Sequence, residues 1–521
     1  MIHDSPFPDV SVPETSVPEF VLDGVADRGE KPAFVDADTG REVTFGGLRA
    51  QVDALAAGLA ARGFGTGDVL AIYMPNVPEY PIAFHGTTAV GGVVTTINPL
   101  YTVEELRRQL EDTGARYLLT VPPFAEKATE AADAAAVEEV FVLGESGVGT
   151  PFPALLDTER DPPDVDVDPS DTAVLPYSSG TTGMPKGVEL THRNIVANLC
   201  QIAGVEPKEL GADDVSVGVL PFYHIYGMTV TMNWHIREGA TVVTVPKFEL
   251  EPFLETLEGH GVTTAYLVPP IVLALAQQPI VEEYDLSALE RITSGAAPLP
   301  DEVATACADR LDCLVKQGYG LTETSPVTHL APADPDAVER GTVGPPVPNT
   351  ECRVVDVDTG EELPPGEQGE ILVRGPQVMA GYYDRPDATA NAFEDDWLRT
   401  GDLGFVDEDG YLAVIDRVKE LIKYKGYQVA PAELEERLLD EPSVADAAVV
   451  PKPDREAGEV PKAFVVPDGD IDTDALKSAI AERVAPHKKI RDIEVIDEIP
   501  KSASGKILRR VLIDEHVESG G

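Results

Sequence analysis

The stretch Tyr177–Val188, YSSGTTGMPKGV, decides how the rest of the chain is read. Gly-rich backbone can turn so that several N–H groups converge on one concavity, which is what a polyanion needs. The hydroxyls of Ser178, Ser179, Thr181 and Thr182 add donors around Gly180, and Lys186 adds a positive charge. The stretch reads as a loop that grips the triphosphate of a nucleotide. It is not the Walker pattern GxxxxGK[ST], because no Ser or Thr follows the Lys. A polar surface turn shares this composition, so the surrounding chain has to decide between the two.

The totals narrow the field. A chain of 521 residues exceeds one ordinary domain and suggests about three or four units. Its 40 basic and 91 acidic side chains give a formal charge of −51, which repels nucleic acid and anionic membrane alike. The acid is spread along the whole chain, as expected of a protein adapted to concentrated salt, where screening removes self-repulsion. The 4 cysteines are scattered and form no CxxC or His/Cys cluster, so neither a disulfide framework nor a zinc site is expected. The N-terminus lacks a basic stretch followed by an apolar run. No apolar segment approaches the roughly 18 residues that span a bilayer. A cytoplasmic protein without an integral membrane segment is expected; oligomeric state stays open.

Upstream of the loop, short buried runs alternate with helical patterns. After an irregular lead-in to about residue 45, Leu48, Val52, Leu55 and Leu59 recur at helical spacing, VLAIYM (69–74) reads as a strand, and VEELRRQLEDTG as an amphipathic helix ending on Gly114. Residues 157–171 are an exposed Asp/Pro connector. Downstream, a helix over 194–203 and strands near 215–220, 240–245 and 265–268 form a second block. Past Gly341, short segments separated by PPG and GP turns indicate a β-rich unit, and the last hundred or so residues a small mixed one. The fold class is therefore α/β: a large N-terminal domain of two α/β subdomains plus a β-rich subdomain, then a small mobile α+β C-terminal domain.

Other stretches carry candidate chemistry. In QGYGLTE (317–323), glycines flank Tyr319, so a flat ligand can lie against backbone and ring, and Glu323 suits a divalent metal bridging phosphate oxygens. In WLRTGDLG (397–404), Asp402 sits in a Gly-bounded turn and suits the two hydroxyls of a ribose. Basic residues crowd Asp416–Lys425 in a protein short of them, which points to an anion. In PKSASGKILRR (500–510), Lys506 follows a glycine and has room to reach into a site.

These motifs, with SGAAPL, GEILVRGP and DRVKELIKYKGYQVAPAELE, occur in an order and spacing that resemble the adenylate-forming superfamily over nearly the whole chain. TTINPLYT, PFYHIYGM and KYKGYQVAPAELE are most similar to the 4-coumarate–CoA ligase branch and its fatty-acyl relatives. The resemblance implies an AMP-forming acid–CoA ligase that uses ATP, Mg²⁺ and CoA. A carboxylate attacks the α-phosphate to give acyl-AMP and pyrophosphate, and the CoA thiolate then displaces AMP.

It also assigns residues. Lys506 would stabilise the charge that grows between carboxylate and α-phosphate. Ser178 to Lys186 would hold the β- and γ-phosphates, with Thr182 and Glu323 near the metal. Gln317, Gly318, Tyr319 and Thr322 would enclose the adenine side, and Asp402 with Arg417 the ribose. Lys247, Lys423, Lys425 and Gly426 are candidate CoA contacts. His224, Tyr226, Val230, Gly295, Ala297, Gly320, Pro326 and Val327 would line the acyl pocket. Domains at 1–415 and 420–521 would turn about a hinge at 416–419, centred on Lys419, to withdraw Lys506 before the thiol arrives. The acid is an aryl-propenoic or a medium- or long-chain fatty acid. An adenylation enzyme that loads a carrier protein in trans is the alternative.

Overall fold

The computed structural model describes residues 1–157, 159–178, 185–205, 210–425, 427–454, 457–502 and 505–517. Ser179, Gly180, Thr181, Thr182 and Gly426, all expected ligand contacts, lie outside the described residues.

Two eight-stranded sheets form the body of the chain. The first is parallel across its middle: Thr172–Ser178, Val93–Thr96, Val69–Tyr73, Tyr117–Thr120, Glu139–Val142 and Thr150–Pro151 lie side by side. Lys186–Thr191 returns antiparallel beside Thr172–Ser178, with Gly381–Tyr382 beyond it. The second sheet runs Val327–Leu330, Leu314–Gly320, Arg291–Ser294, Thr264–Leu267, Val215–Gly218, Thr241–Thr244, Pro32–Asp36, Glu42–Thr44, and only its two edge strands are antiparallel. Val69–Tyr73 is buried at every position, as expected for a parallel strand covered on both faces.

Local sequence signals end the helices where expected. Val103–Thr113 begins on a capping box between Thr102 and Glu105 and stops at Gly114, whose φ of 62° is left-handed. The helix expected over 194–203 runs from His192 to Val205.

The N-terminal lead-in is more ordered than its composition suggests. Ile2–Asp4 pairs with Glu351–Val355, Val17–Val21 is a helix capped by Ser16, and Pro32–Asp36 with Glu42–Thr44 complete the second sheet. These partners lie hundreds of residues downstream, so no local periodicity announces them.

A six-stranded antiparallel sheet follows, built on Glu351–Val355, Gly369–Arg374, Trp397–Val406 and Leu412–Arg417. After one 3₁₀ turn, Val418–Glu420, the chain enters a five-stranded sheet that begins with Ile422–Tyr424. That last unit has its own core, in which Ile422, Leu434, Val449, Val465 and Ile480 are buried together. Among the described residues, no helix is long and apolar enough to cross a membrane.

Candidate active site

A cleft of about 2220 Å³ lies where the two large sheets, the antiparallel sheet and the last unit meet. Ser178, Lys186, His224, Tyr226, Val230, Gly295, Ala297, Gln317–Glu323, Pro326, Val327, Asp402, Arg417 and Lys506 all line it. Residues separated by more than three hundred positions thus face one space.

The strand Thr172–Ser178 delivers Ser178 to the rim, and Lys186 opens the returning strand in register opposite it. Ser178 Oγ donates to Glu323 Oε1 at 2.8 Å, and Tyr382 Oη donates to the same oxygen at 2.9 Å. Lys186 Nζ stands 4.7 Å from the centroid of the Tyr382 ring. Tyr382 therefore joins both ends of the phosphate-side cluster. Only the edge pairing of Gly381–Tyr382 with Lys186–Thr191 reveals its place; nothing local marks it in the sequence.

The QGYGLTE segment continues a strand. Gln317–Gly320 end the strand Leu314–Gly320, with Gln317 beside Ser294 and Gly318–Gly320 paired to Val327–Leu330. Gly320 is needed for close approach, since a β-carbon there would fall 1.9 Å from the Pro326 carbonyl oxygen. Gln317 Oε1 accepts from the Leu299 N–H at 3.0 Å, which steadies the SGAAPL loop. Asp402 likewise lies within the strand Trp397–Val406, not in a turn, because the neighbouring strand extends past it and places Arg417 opposite. Tyr319 Oη donates to Asp402 Oδ2 at 2.7 Å, and Arg417 Nε lies 3.4 Å from Oδ1.

The acyl side is walled by the segment Tyr226–Trp234, which is a π-helix. Such windings concentrate at functional sites. Tyr226 Oη donates to the Thr293 carbonyl at 3.0 Å, and its ring lies over Gly295, where a β-carbon would stand 3.0 Å from Cε1. Behind it, Tyr226, Tyr266 and Trp234 meet edge-on. Burial, then the nearby Lys506 charge, pushes His224 down to about 4, so it is neutral at pH 7.

Lys506 reaches the cleft from the last unit. Its N–H donates to Ser502 Oγ at 3.1 Å and its carbonyl accepts from Ser502 N–H at 2.8 Å. Burial, then repulsion from Arg417, lowers Lys506 to about 8 against the pull of Asp402 and Glu420. Lys419 is lowered by the same two causes in the same order.

Lys247, Lys419, Lys423 and Lys425 are not among the residues that line the cleft. Lys247 Nζ is 2.6 Å from Glu249 on an exposed surface, and Lys423 and Lys425 are exposed on the last unit. Among the described residues, no cluster of His, Cys, Asp or Glu is arranged to hold a metal on protein ligands alone.

Residues 23–383 match the model of the family described as AMP-binding enzyme, and 433–506 that of the AMP-binding enzyme C-terminal domain. A 4-coumarate–CoA ligase 2 of Oryza sativa subsp. japonica is 41% identical over 98% of this chain and 94% of its own. ATP-bound MatB from Rhodopseudomonas palustris is 30% identical with a TM-score of 0.87, over 97% of this chain and 100% of that one. Apo MatB from the same organism, 29% identical, superposes with a TM-score of 0.77 over 98% of this chain and 100% of that one.

Proposed function

The chain belongs to the AMP-binding enzyme family and is an AMP-forming acid–thiol ligase; from that premise we propose that its acid is an aryl-propenoic acid, joined to CoA through an acyl-adenylate. The observation that carries this is Tyr226, pinned to Thr293 across Gly295 and backed by Tyr266 and Trp234. Tyr226, Tyr266 and Trp234 all line the cleft, and aromatic rings on this wall suit the flat face of an aryl group. The 4-coumarate–CoA ligases among its relatives support the same choice.

The chain's own residues then divide the work. Phosphoryl chemistry needs positioning and charge neutralisation more than covalent help. Ser178 and Lys186, with the loop between them, hold the pyrophosphate side. Asp402 is the ribose contact, oriented by Tyr319 Oη and Arg417. Lys506 meets the charge that develops as the acid's carboxylate bonds to the α-phosphorus and pyrophosphate departs. His224, being neutral, acts as a wall and gate and not as a base. Glu323, with hydroxyl donors around it, fits Mg²⁺, which takes one or two carboxylates plus phosphate oxygens and would neutralise the pyrophosphate.

The second half-reaction needs Lys506 gone. We place the hinge at 416–419, between the domains 1–415 and 420–521, where a single 3₁₀ turn joins two sheets. Rotation there would withdraw Lys506 and bring Lys423 and Lys425 toward the adenylate, with Lys247 on the CoA path. We read the orientation as the adenylate-forming one, because Lys506 lines the same cleft as Ser178, Glu323 and Asp402. Four free thiols fit a reducing, cytoplasmic setting.

The test is AMP and pyrophosphate release in molar salt across cinnamic-type and medium- and long-chain acids, with and without CoA. A CoA-dependent thioester with the aryl-propenoic acids is expected. Turnover confined to fatty acids would overturn the substrate reading, and adenylation without a CoA thioester would favour a carrier protein as acceptor.

A further inference from the structure

Beneath the Lys506 loop lies a buried charge cluster that the reaction scheme does not use. Arg509, three residues past Lys506, opens the helix Arg509–His516 and is almost enclosed. Its guanidinium donates to both carboxylate oxygens of Glu435 at 2.7 Å, to Glu420 at 2.5 Å, and through Nε to the Val449 carbonyl at 3.1 Å. Glu420 ends the 3₁₀ turn Val418–Glu420, and Glu435 lies on the helix Pro431–Leu439. One side chain therefore ties the residue just after the hinge, a helix and strand of the small domain, and the start of the Lys506 segment into one body.

Asp416, the first residue of the hinge segment, faces this cluster from the large-domain side of Lys419. It belongs to the strand Leu412–Arg417 of the antiparallel sheet, and its Oδ2 accepts from the N–H of Ala432, in the first turn of Pro431–Leu439, at 2.8 Å. Its Oδ1 accepts from the Arg417 N–H at 2.7 Å. The Asp416–Ala432 bond crosses the hinge, so a rotation about Lys419 has to break it. The bonds of Arg509, all made beyond Lys419, travel with the small domain.

We infer that Asp416 is a catch specific to the adenylate-forming orientation, and that Arg509 is the positioning residue that makes the Lys506 loop follow the hinge. This rests on the two-orientation reading above. A contact present in only one of two states biases the equilibrium toward that state by its own free energy. A charge-assisted hydrogen bond is worth enough to shift populations by about tenfold. Loss of the catch therefore depletes the orientation in which Lys506 acts. Loss of Arg509 leaves the orientation but frees the loop.

The test compares single-turnover acyl-adenylate formation with thioester formation from supplied acyl-adenylate and CoA, in the full-length protein. The proteins are Asp416→Ala, Asp416→Asn, Arg509→Lys and, in parallel, Lys506→Ala. Asp416→Ala should lose about tenfold in adenylate formation and keep or gain thioester rate. Asp416→Asn, which keeps an acceptor for Ala432, should recover most of the loss. Arg509→Lys should slow only adenylate formation, since ammonium cannot replace the fork on Glu435. Equal loss of both half-reactions in the Asp416 variants, or no change in either, overturns the catch. If Lys506→Ala itself loses both equally, the two-orientation reading fails instead.

Discussion

Gly505 rests on Pro270: a β-carbon at Gly505 would lie 2.9 Å from both Cγ and Cδ of the proline ring, and its φ of 77° is left-handed. Lys506 is the next residue, so this contact sets how deeply the small domain seats its lysine against the large one. Gly505→Val combines a steric clash with a disfavoured backbone, roughly 1–2 kcal/mol from the backbone alone. Adenylate formation should fall about tenfold or more, with thioester formation from supplied adenylate little changed. Pyrophosphate release followed by stopped flow, set beside the second half-reaction, measures the split.

Asp402, the proposed ribose contact, also accepts from Tyr319 Oη. Asp402→Ala should weaken AMP binding by about ten- to a hundredfold, because charge-assisted hydrogen bonds are lost and Tyr319 Oη loses its acceptor. Tyr319→Phe should weaken it much less, since the ring face remains. Calorimetric titration of AMP into each variant checks the order, which would be reversed if the tyrosine hydroxyl were the main contact.

The pH profile follows from Lys506. Burial lowers it to about 8 from an ordinary 10.5, and in the proposed scheme the protonated form is the one that would stabilise transition-state charge. For free enzyme, kcat/KM of adenylate formation should therefore be flat near neutrality and decline as pH rises through about 8. Lys506→Arg, if active, should lack that decline, because guanidinium stays charged. His224, at about 4, adds no limb between pH 5 and 8, and an acidic limb centred near 6.5 would contradict its neutral role.

A charge of −51 predicts dependence on salt. At 1 M salt the screening length is about 3 Å, and at 0.1 M about 10 Å, long enough for surface carboxylates to repel one another. Dilution from molar salt to about 0.1 M should lower the thermal midpoint or unfold the chain outright, as followed by circular dichroism. An unchanged midpoint would remove the salt adaptation.

Much of this was legible in the chain. The alternation of buried runs and helices showed the α/β sheets, glycine-bounded motifs and a basic Gly/Ser loop singled out Glu323, Asp402 and Lys506, and the family resemblance added Arg417; all four line the cleft. What stayed hidden is non-local. Pro32–Asp36 needs Thr241–Thr244 beside it to be a strand, and Tyr382 needs the edge of another sheet. Asp402 looks like a turn residue because the flanking glycines promise freedom, yet paired neighbours draw it into a strand. The π-winding of Tyr226–Trp234 breaks no sequence rule and is set by its packing. Arg509 and Asp416 read as ordinary charges until the fold brings them together.

The most direct measurement is the Lys506→Ala variant assayed for both half-reactions under identical salt. The account predicts loss of adenylate formation by about a hundredfold or more, with thioester formation from supplied acyl-adenylate and CoA within a fewfold of the parent. Equal loss of the two, or adenylate formation that survives, would contradict a lysine that acts in one orientation and withdraws in the other.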